Sequence, residues 1–214
     1  MTEKVRTTIL LARHGECRGN VEGLFRGRAD FPLNERGVRQ AGELAEALRP
    51  WEPAVVYTSP LLRARATAEA IAAACGAELR VDEGMNNMAL GVWEGRRKTE
   101  VAKERPDLWR LWMENPEELV VDGAETMRDV MLRSMSSLRA IVAENRGKTV
   151  AAVTHRTVIK PLIAGCIGIA SPYFWKVHMD TAAYSVLHHD DLHGFSLFAL
   201  NRTEHLSGFA TEWE

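Results

Sequence analysis

At 214 residues the chain has the length of one domain with a modest elaboration, given roughly 150 residues per domain. A hydrophobic fraction of 46% beside 26% charged residues excludes disorder, collagen-like repeats and coiled coil. The 27 Lys+Arg against 29 Asp+Glu leave a net charge of -2, without the basic surplus by which a general nucleic-acid binder neutralises phosphates.

The first thirteen residues have a charged start and then a short apolar run over 8–12, too short for a signal-peptide core. Residues 7–12 read as a buried strand. Asn34 is a good N-cap for a helix reaching Leu48, with Pro50 just beyond it. Residues 54–58 form a second strand. Ser59-Pro60 opens a helix to Cys75, with Ser as cap, Pro at the first helical position and Gly76 as the stop. Periodicity fails over 80–95, which reads as a strand and an irregular loop. Residues 98–110 and 126–145 read as helices, the second capped near Gly123 and ended by Asn145-Arg146-Gly147. Residues 149–154 are a continuous apolar strand, as expected where helices cover both faces, and a helix follows over 156–165. Residues 183–188 and 195–201 form a hairpin around the polar turn 189–194.

Strands alternating with helices specify an α/β domain, a three-layer sandwich with a mostly parallel central sheet and helices on both faces. The whole chain, 1–214, is expected to be one domain with a substrate-cap insertion over roughly 96–122. Cys17, Cys75 and Cys166 are odd in number and widely spaced, and they read as free thiols. The longest apolar stretch, 149–170, is interrupted by His155, Arg156 and Lys160, a poor membrane span. A cytoplasmic protein is expected.

His14 and His155 each follow a strand, and in an open parallel sheet ligands bind beyond the carboxyl ends of strands. Arg63 lies in the first turn of the helix after a third strand. Arg13, His14, Arg63 and His155, with Arg156 as a further candidate, would make a cationic pocket suited to a phosphoryl group. An imidazole nitrogen can attack phosphorus to give a labile phosphohistidine. Arg26, with Arg28, Arg96 and Arg97, could extend the pocket toward a second anionic group, although exposed loop charges are commoner.

Leu11-Ala-Arg-His-Gly-Glu16 resembles the Arg-His-Gly signature of the histidine phosphatase (phosphoglycerate mutase-like) superfamily. The segments 25–37, 57–68, 91–95, 123–126, 153–158 and 201–206 follow that family's motifs in order, so the resemblance covers nearly the whole chain. It implies a phosphoglycerate mutase-like fold, His14 as nucleophile, Arg13 and Arg63 as phosphate clamps, and His155 as a second phosphate ligand. Asn20 would donate to a phosphate oxygen. It also implies phosphomonoester hydrolysis, with a phosphatase resembling the chain better than a mutase. The partner would be a small phosphorylated metabolite, with no nucleic acid, membrane, metal or organic cofactor, and a homodimer is left open.

One position departs from the pattern. In most of the phosphatase branch a Glu four residues before the Gly of Gly-x-Trp-Glu-Gly donates a proton to the leaving alkoxide, and Asn87 stands there. Losing a positioned acid removes about 10²–10⁴-fold in rate. Four readings stay open: Asp82, Glu83 or another carboxylate substitutes from a shifted loop; the leaving group needs no acid; the residue was changed deliberately; or ester hydrolysis is lost. The alternatives are thus a divergent enzyme with a repurposed reaction on a phosphorylated or anionic metabolite, and a catalytically silent phosphate-ligand binding protein.

Other features carry blander readings. Residues 188–193, His-His-Asp-Asp-Leu-His, look like a metal tract but read as a polar hairpin turn. Trp109, Trp112 and Met113, with Met85 and Met88, fit either a lid over the substrate or packing of the insertion. Cys17 reads as a small wall residue.

Overall fold

The computed structural model describes residues 5–208. Strand β1 (Thr7–Arg13) lies inside a sheet with β2 (Val55–Thr58), β3 (Glu78–Val81), β4 (Thr149–Thr154), β5 (Tyr184–Asp190) and β6 (Gly194–Arg202). The strand order is β3-β2-β4-β1-β5-β6. β3, β2, β4 and β1 pair in parallel, β5 runs antiparallel to β1, and β6 runs antiparallel to β5. The sheet is therefore mixed but mostly parallel. Arg13 is in register with Thr154, and Thr58 with Val153, so the carboxyl ends of β1, β2 and β4 stand side by side.

Seven helical segments complete the described chain: α1 (Arg18–Val21), α2 (Glu35–Leu48), α3 (Leu62–Cys75), α4 (Lys98–Glu104), α5 (Pro106–Glu114), α6 (Met127–Glu144) and α7 (Arg156–Ile167). Side chains alternate across a strand, so each apolar run feeds two cores. Leu10, Ala12, Val56, Ala151 and Val153 pack against α2 and α3. Ile9, Leu11, Val55, Val150 and Ala152 pack against α6 and α7 on the other face. The result is the three-layer sandwich.

Local chemistry moved several boundaries. Asn34 caps α2 as its sequence suggests, accepting from the Gly37 N–H at 2.8 Å. Ser59 does not cap α3, which starts two residues after Pro60; its Oγ accepts from the Leu61 N–H at 3.3 Å and faces the sheet ends. α6 is capped by Thr126 rather than near Gly123, because Thr126 and Asp129 form a reciprocal capping box that satisfies two orphan donors. Residues 98–110 are not one helix. Pro106 has no N–H and excludes helical geometry at Arg105 (φ -131°, ψ 65°), so α4 ends and α5 begins there.

A third apolar cluster joins Phe25, Met88, Trp93, Val101, Trp112 and Phe174, and it seats the α4–α5 segment on α6 and α7. Of the residues that fit either a lid or packing, Trp112 is buried in this cluster, Met85 lies in the sheet core and Met113 is exposed.

The loop after β1 touches the first turn of α2 backbone to backbone. A Cβ on Gly15 would lie 2.5 Å from the Gly37 carbonyl oxygen, and a Cβ on Gly37 would lie 2.0 Å from that of Glu16. Only glycine fits either place. Gly37→Ala is expected to cost about 1–3 kcal/mol through forced backbone displacement. In a thermal melt this appears as a midpoint lowered by roughly 2–4 °C per kcal/mol.

Candidate active site

His14 is the first residue beyond β1, and the sheet pattern continues through it. Its N–H donates to the Thr154 carbonyl at 3.1 Å, and its carbonyl accepts from the Ala182 N–H at 3.1 Å. The ring Nδ1 lies 2.6 Å from the Gly15 carbonyl oxygen. A carbonyl can only accept, so Nδ1 carries the proton and Nε2 keeps its lone pair. Gly15 is itself fixed, its N–H donating to Thr67 Oγ1 of α3, which in turn donates to the Arg63 carbonyl.

His155, the first residue beyond β4, brings its ring centroid to 5.1 Å from that of His14. Its Nε2 is 2.8 Å from Ser59 Oγ, and Ser59 stands at the end of β2. With the hydroxyl donating to Nε2, the His155 proton sits on Nδ1, which is buried and has no hydrogen-bond partner among the described residues. That nitrogen is then a donor held for an anion.

Arg13 and Arg63 are fully buried. Arg13 donates to the Met179 carbonyl at 2.8 Å, and Arg63 donates to the Ala29 and Gly27 carbonyls at 3.0 and 2.9 Å. Burial pushes Arg63 down to about 10, still cationic at neutral pH. Burial, then the charges of Arg63, Arg13 and Arg26, hold His14 well below the usual imidazole range. His155 is held low by burial first, then by Arg63, His14, Arg26 and Arg13. Both rings are therefore neutral at pH 7, and His14 is a competent nucleophile.

A narrow cleft with about 30 Å³ of enclosed space opens over these residues. It is lined by His14, Arg26, Asn87, His155 and Arg156 of the sequence candidates. Arg13 and Arg63 lie behind it and act through their charge on the two rings. Asn20 is not among its lining; its Oδ1 accepts from the N–H and thiol of Cys17 at 3.0 and 2.9 Å. Arg28, Arg96 and Arg97 turn elsewhere, to Glu125, Glu104 and Glu22.

The cleft also takes Lys98, Thr157 and Trp112, none of which a strand-end rule could single out. Ser59 could have been found, because it follows β2 just as His14 and His155 follow their strands. Asn87 bridges the cleft: Nδ2 donates to the Gly27 carbonyl and Oδ1 accepts from Thr157 Oγ1, both at 2.6 Å.

Among the described residues no three His, Cys, Asp or Glu side chains are grouped to hold a metal ion. In the tract 188–193, Asp190 accepts from the Leu192 and His193 N–H groups and so builds the hairpin turn. No described helix is long and apolar enough to cross a membrane.

A paired imidazole set, one ring with a free lone pair and both surrounded by guanidinium groups, can bind a phosphoryl group and accept it on nitrogen. The model of the histidine phosphatase superfamily (branch 1) matches residues 9–203. Phosphoserine phosphatase 1 of Hydrogenobacter thermophilus is 32% identical over 204 residues, covering 95% of this chain and 96% of that protein. Several mycobacterial relatives are longer, and the chain spans about half of their length. The solved Bacillus stearothermophilus YhfR superposes with a TM-score of 0.89 at 30% identity, covering 94% of this chain and 99% of that one. A mycobacterial glucosyl-3-phosphoglycerate phosphatase, solved with VO3, gives 0.85 at 26% identity, with 92% and 99% covered. Motif order, fold and strand-end histidines agree with these matches, and the chain belongs to the histidine phosphatase superfamily, branch 1.

Proposed function

We propose that the chain hydrolyses a small phosphomonoester through a phosphohistidine on His14. The observation that carries this reading is the tautomer imposed by the Gly15 carbonyl, which leaves Nε2 as a neutral nucleophile inside a ring of buried cations. His14 Nε2 attacks phosphorus, and the positive charge of Arg13, Arg63 and Arg26 stabilises the three phosphoryl oxygens as the ester bond breaks. His155 Nδ1–H supplies a further donor. Water then attacks the phosphohistidine and releases phosphate. Relatives named for phosphoserine, 2-carboxyarabinitol phosphate and glucosyl-3-phosphoglycerate support a small phosphorylated metabolite as the substrate class.

Radiolabelled substrate quenched in the steady state should leave acid-labile phosphate on the chain. His14→Ala should abolish that label and lower kcat/KM by about 10³-fold or more, the scale on which a nucleophile is lost. Turnover unchanged in His14→Ala overturns the mechanism, and binding of phosphate without any turnover identifies a silent binding protein.

The pH dependence follows from the imidazoles. Both folded-state values lie below the usual 6.5, so each ring stays neutral until the pH falls well under that figure. The acid limb of kcat/KM should therefore begin clearly below pH 6.5. Below about 6.5 the unfolded chain binds protons that the folded chain refuses, so stability falls as the pH drops from there toward the depressed values. Urea unfolding at pH 7 and pH 5 measures this, with the lower midpoint expected at pH 5.

A further inference from the structure

The cleft that holds the two imidazoles also determines what can leave from phosphorus. No Asp or Glu stands among its described lining residues. The nearby carboxylates are committed elsewhere. Glu94 accepts from the Arg28 and Leu90 N–H groups at 3.0 and 2.9 Å. Glu125 accepts from the Ala89 N–H and from Arg28 and Arg133. Asp82 closes a turn on Gly84 and takes the Ser137 hydroxyl, and Glu83 takes the Asn86 amide. Asp30 accepts the Leu62 N–H.

What lines the cleft beyond the phosphate end is of a different character. Asn87 and Thr157 are an amide and an alcohol, which do not ionise at neutral pH, and they are bonded to each other. Arg156 keeps its protons at any ordinary pH. It is nearly buried, and its guanidinium lies 5.7 Å from the centroid of the Trp175 ring, whose Nε1 donates to the Trp112 carbonyl. Lys98 and Arg26 are the other charged residues of the lining. The cleft thus offers fixed positive charge to a departing oxyanion and no carboxylic acid to protonate it.

On the phosphohistidine reading, we infer that the substrates are phosphoryl compounds whose leaving oxygen departs as a weakly basic anion, the acyl, enol and aryl phosphates, rather than alkyl phosphates. The balance closes without an acid. Neutral His14 uses its Nε2 pair to form the N–P bond, the P–O bond breaks, and the leaving oxygen takes the P–O pair as a carboxylate, enolate or phenolate. The phosphorylated ring keeps its Nδ1 proton and carries the positive charge. Water then adds to phosphorus, the N–P pair returns to Nε2, and phosphate leaves with both protons of the water. An alkoxide, far more basic, has no such route without a proton donor, and the missing acid costs it about 10²–10⁴-fold.

The test is a series of para-substituted phenyl phosphates, nitro through methyl, which differ little in size, with acetyl phosphate and O-phosphoserine added. For the wild-type protein kcat/KM should fall at least about tenfold from the p-nitrophenyl to the p-methylphenyl ester, with phosphoserine slower still. A fall of less than tenfold overturns the inference, since it means that some group, Lys98 included, protonates the leaving oxygen. Asn87→Glu should raise the phosphoserine to p-nitrophenyl phosphate ratio by about tenfold or more, and an unchanged ratio overturns the inference. If that variant does not fold, the wild-type series decides alone. Label trapped on His14 beside a flat series leaves the phosphohistidine reading intact and removes only this one, whereas an active His14→Ala removes the former.

Discussion

The structure turns on two fully buried guanidinium groups, Arg13 and Arg63. Moving a cation out of water costs several kcal/mol unless its donors are met. Backbone carbonyls take part of that role here. Arg63 spreads its fork over the Ala29 and Gly27 carbonyls and Arg13 reaches the Met179 carbonyl, while Asp30, 3.9 Å from Arg63 and part-exposed, is a distant and screened partner. Carbonyl dipoles satisfy hydrogen bonds but do not cancel the charge. The loops that supply them, around residues 27–29 and 179, are therefore shaped by the guanidinium groups, and a net positive potential persists at the ends of β1, β2 and β4. Burial first, and then that potential, keeps two imidazoles neutral 5.1 Å apart.

The same constraint bears on Asn87. The Gly27 carbonyl receives both Arg63 and the Asn87 amide, so one backbone oxygen links the buried guanidinium to the far wall of the cleft. The side chain at 87 must donate to that carbonyl and accept from Thr157 at once. An amide does both, whereas an ionised carboxylate has no proton to give Gly27. Asn87 is thus a strut tied to the carbonyl that Arg63 also holds.

Much of this was legible in the sequence, because the rule that ligands gather at strand carboxyl ends needs only the strands. The continuous apolar runs before His14 and His155 sufficed to bring the two rings together. Asn34 marked a helix start through a side chain that accepts from a first-turn N–H, and Gly76 a helix end through the left-handed backbone that the lack of a Cβ allows. What was not legible came from side chains whose role depends on a distant partner. Ser59 has the features of a cap, and it was drawn off by His155, 96 residues away. Lys98 begins an ordinary amphipathic stretch, and its place over the cleft follows from the packing of Trp112 and Val101 on α6 and α7. Asn20 has the sequence position of a phosphate donor, and the bond its amide oxygen accepts from Cys17 at the start of α1 is a further contact that the position alone does not reveal. The break at Arg105 was present as a Pro signal that helical periodicity outweighed.

The Gly15 carbonyl has the least conspicuous chemistry and a central part in it. Before reaction it accepts a hydrogen bond from a neutral ring at 2.6 Å, which fixes the tautomer. In the proposed mechanism the ring gains positive charge as the N–P bond forms, and the same Nδ1–H becomes a charge-assisted donor, roughly twice as strong. An interaction that strengthens along the reaction coordinate lowers the barrier, where one of constant strength would only tighten binding. For this the carbonyl must not move, and it is held from two sides: the Gly15 N–H is anchored on Thr67, and its α-carbon is pressed against Gly37, where no side chain fits. The close approach of two glycines, which reads as a packing detail, is thus how α2 and α3 fix the tautomer of the His14 ring.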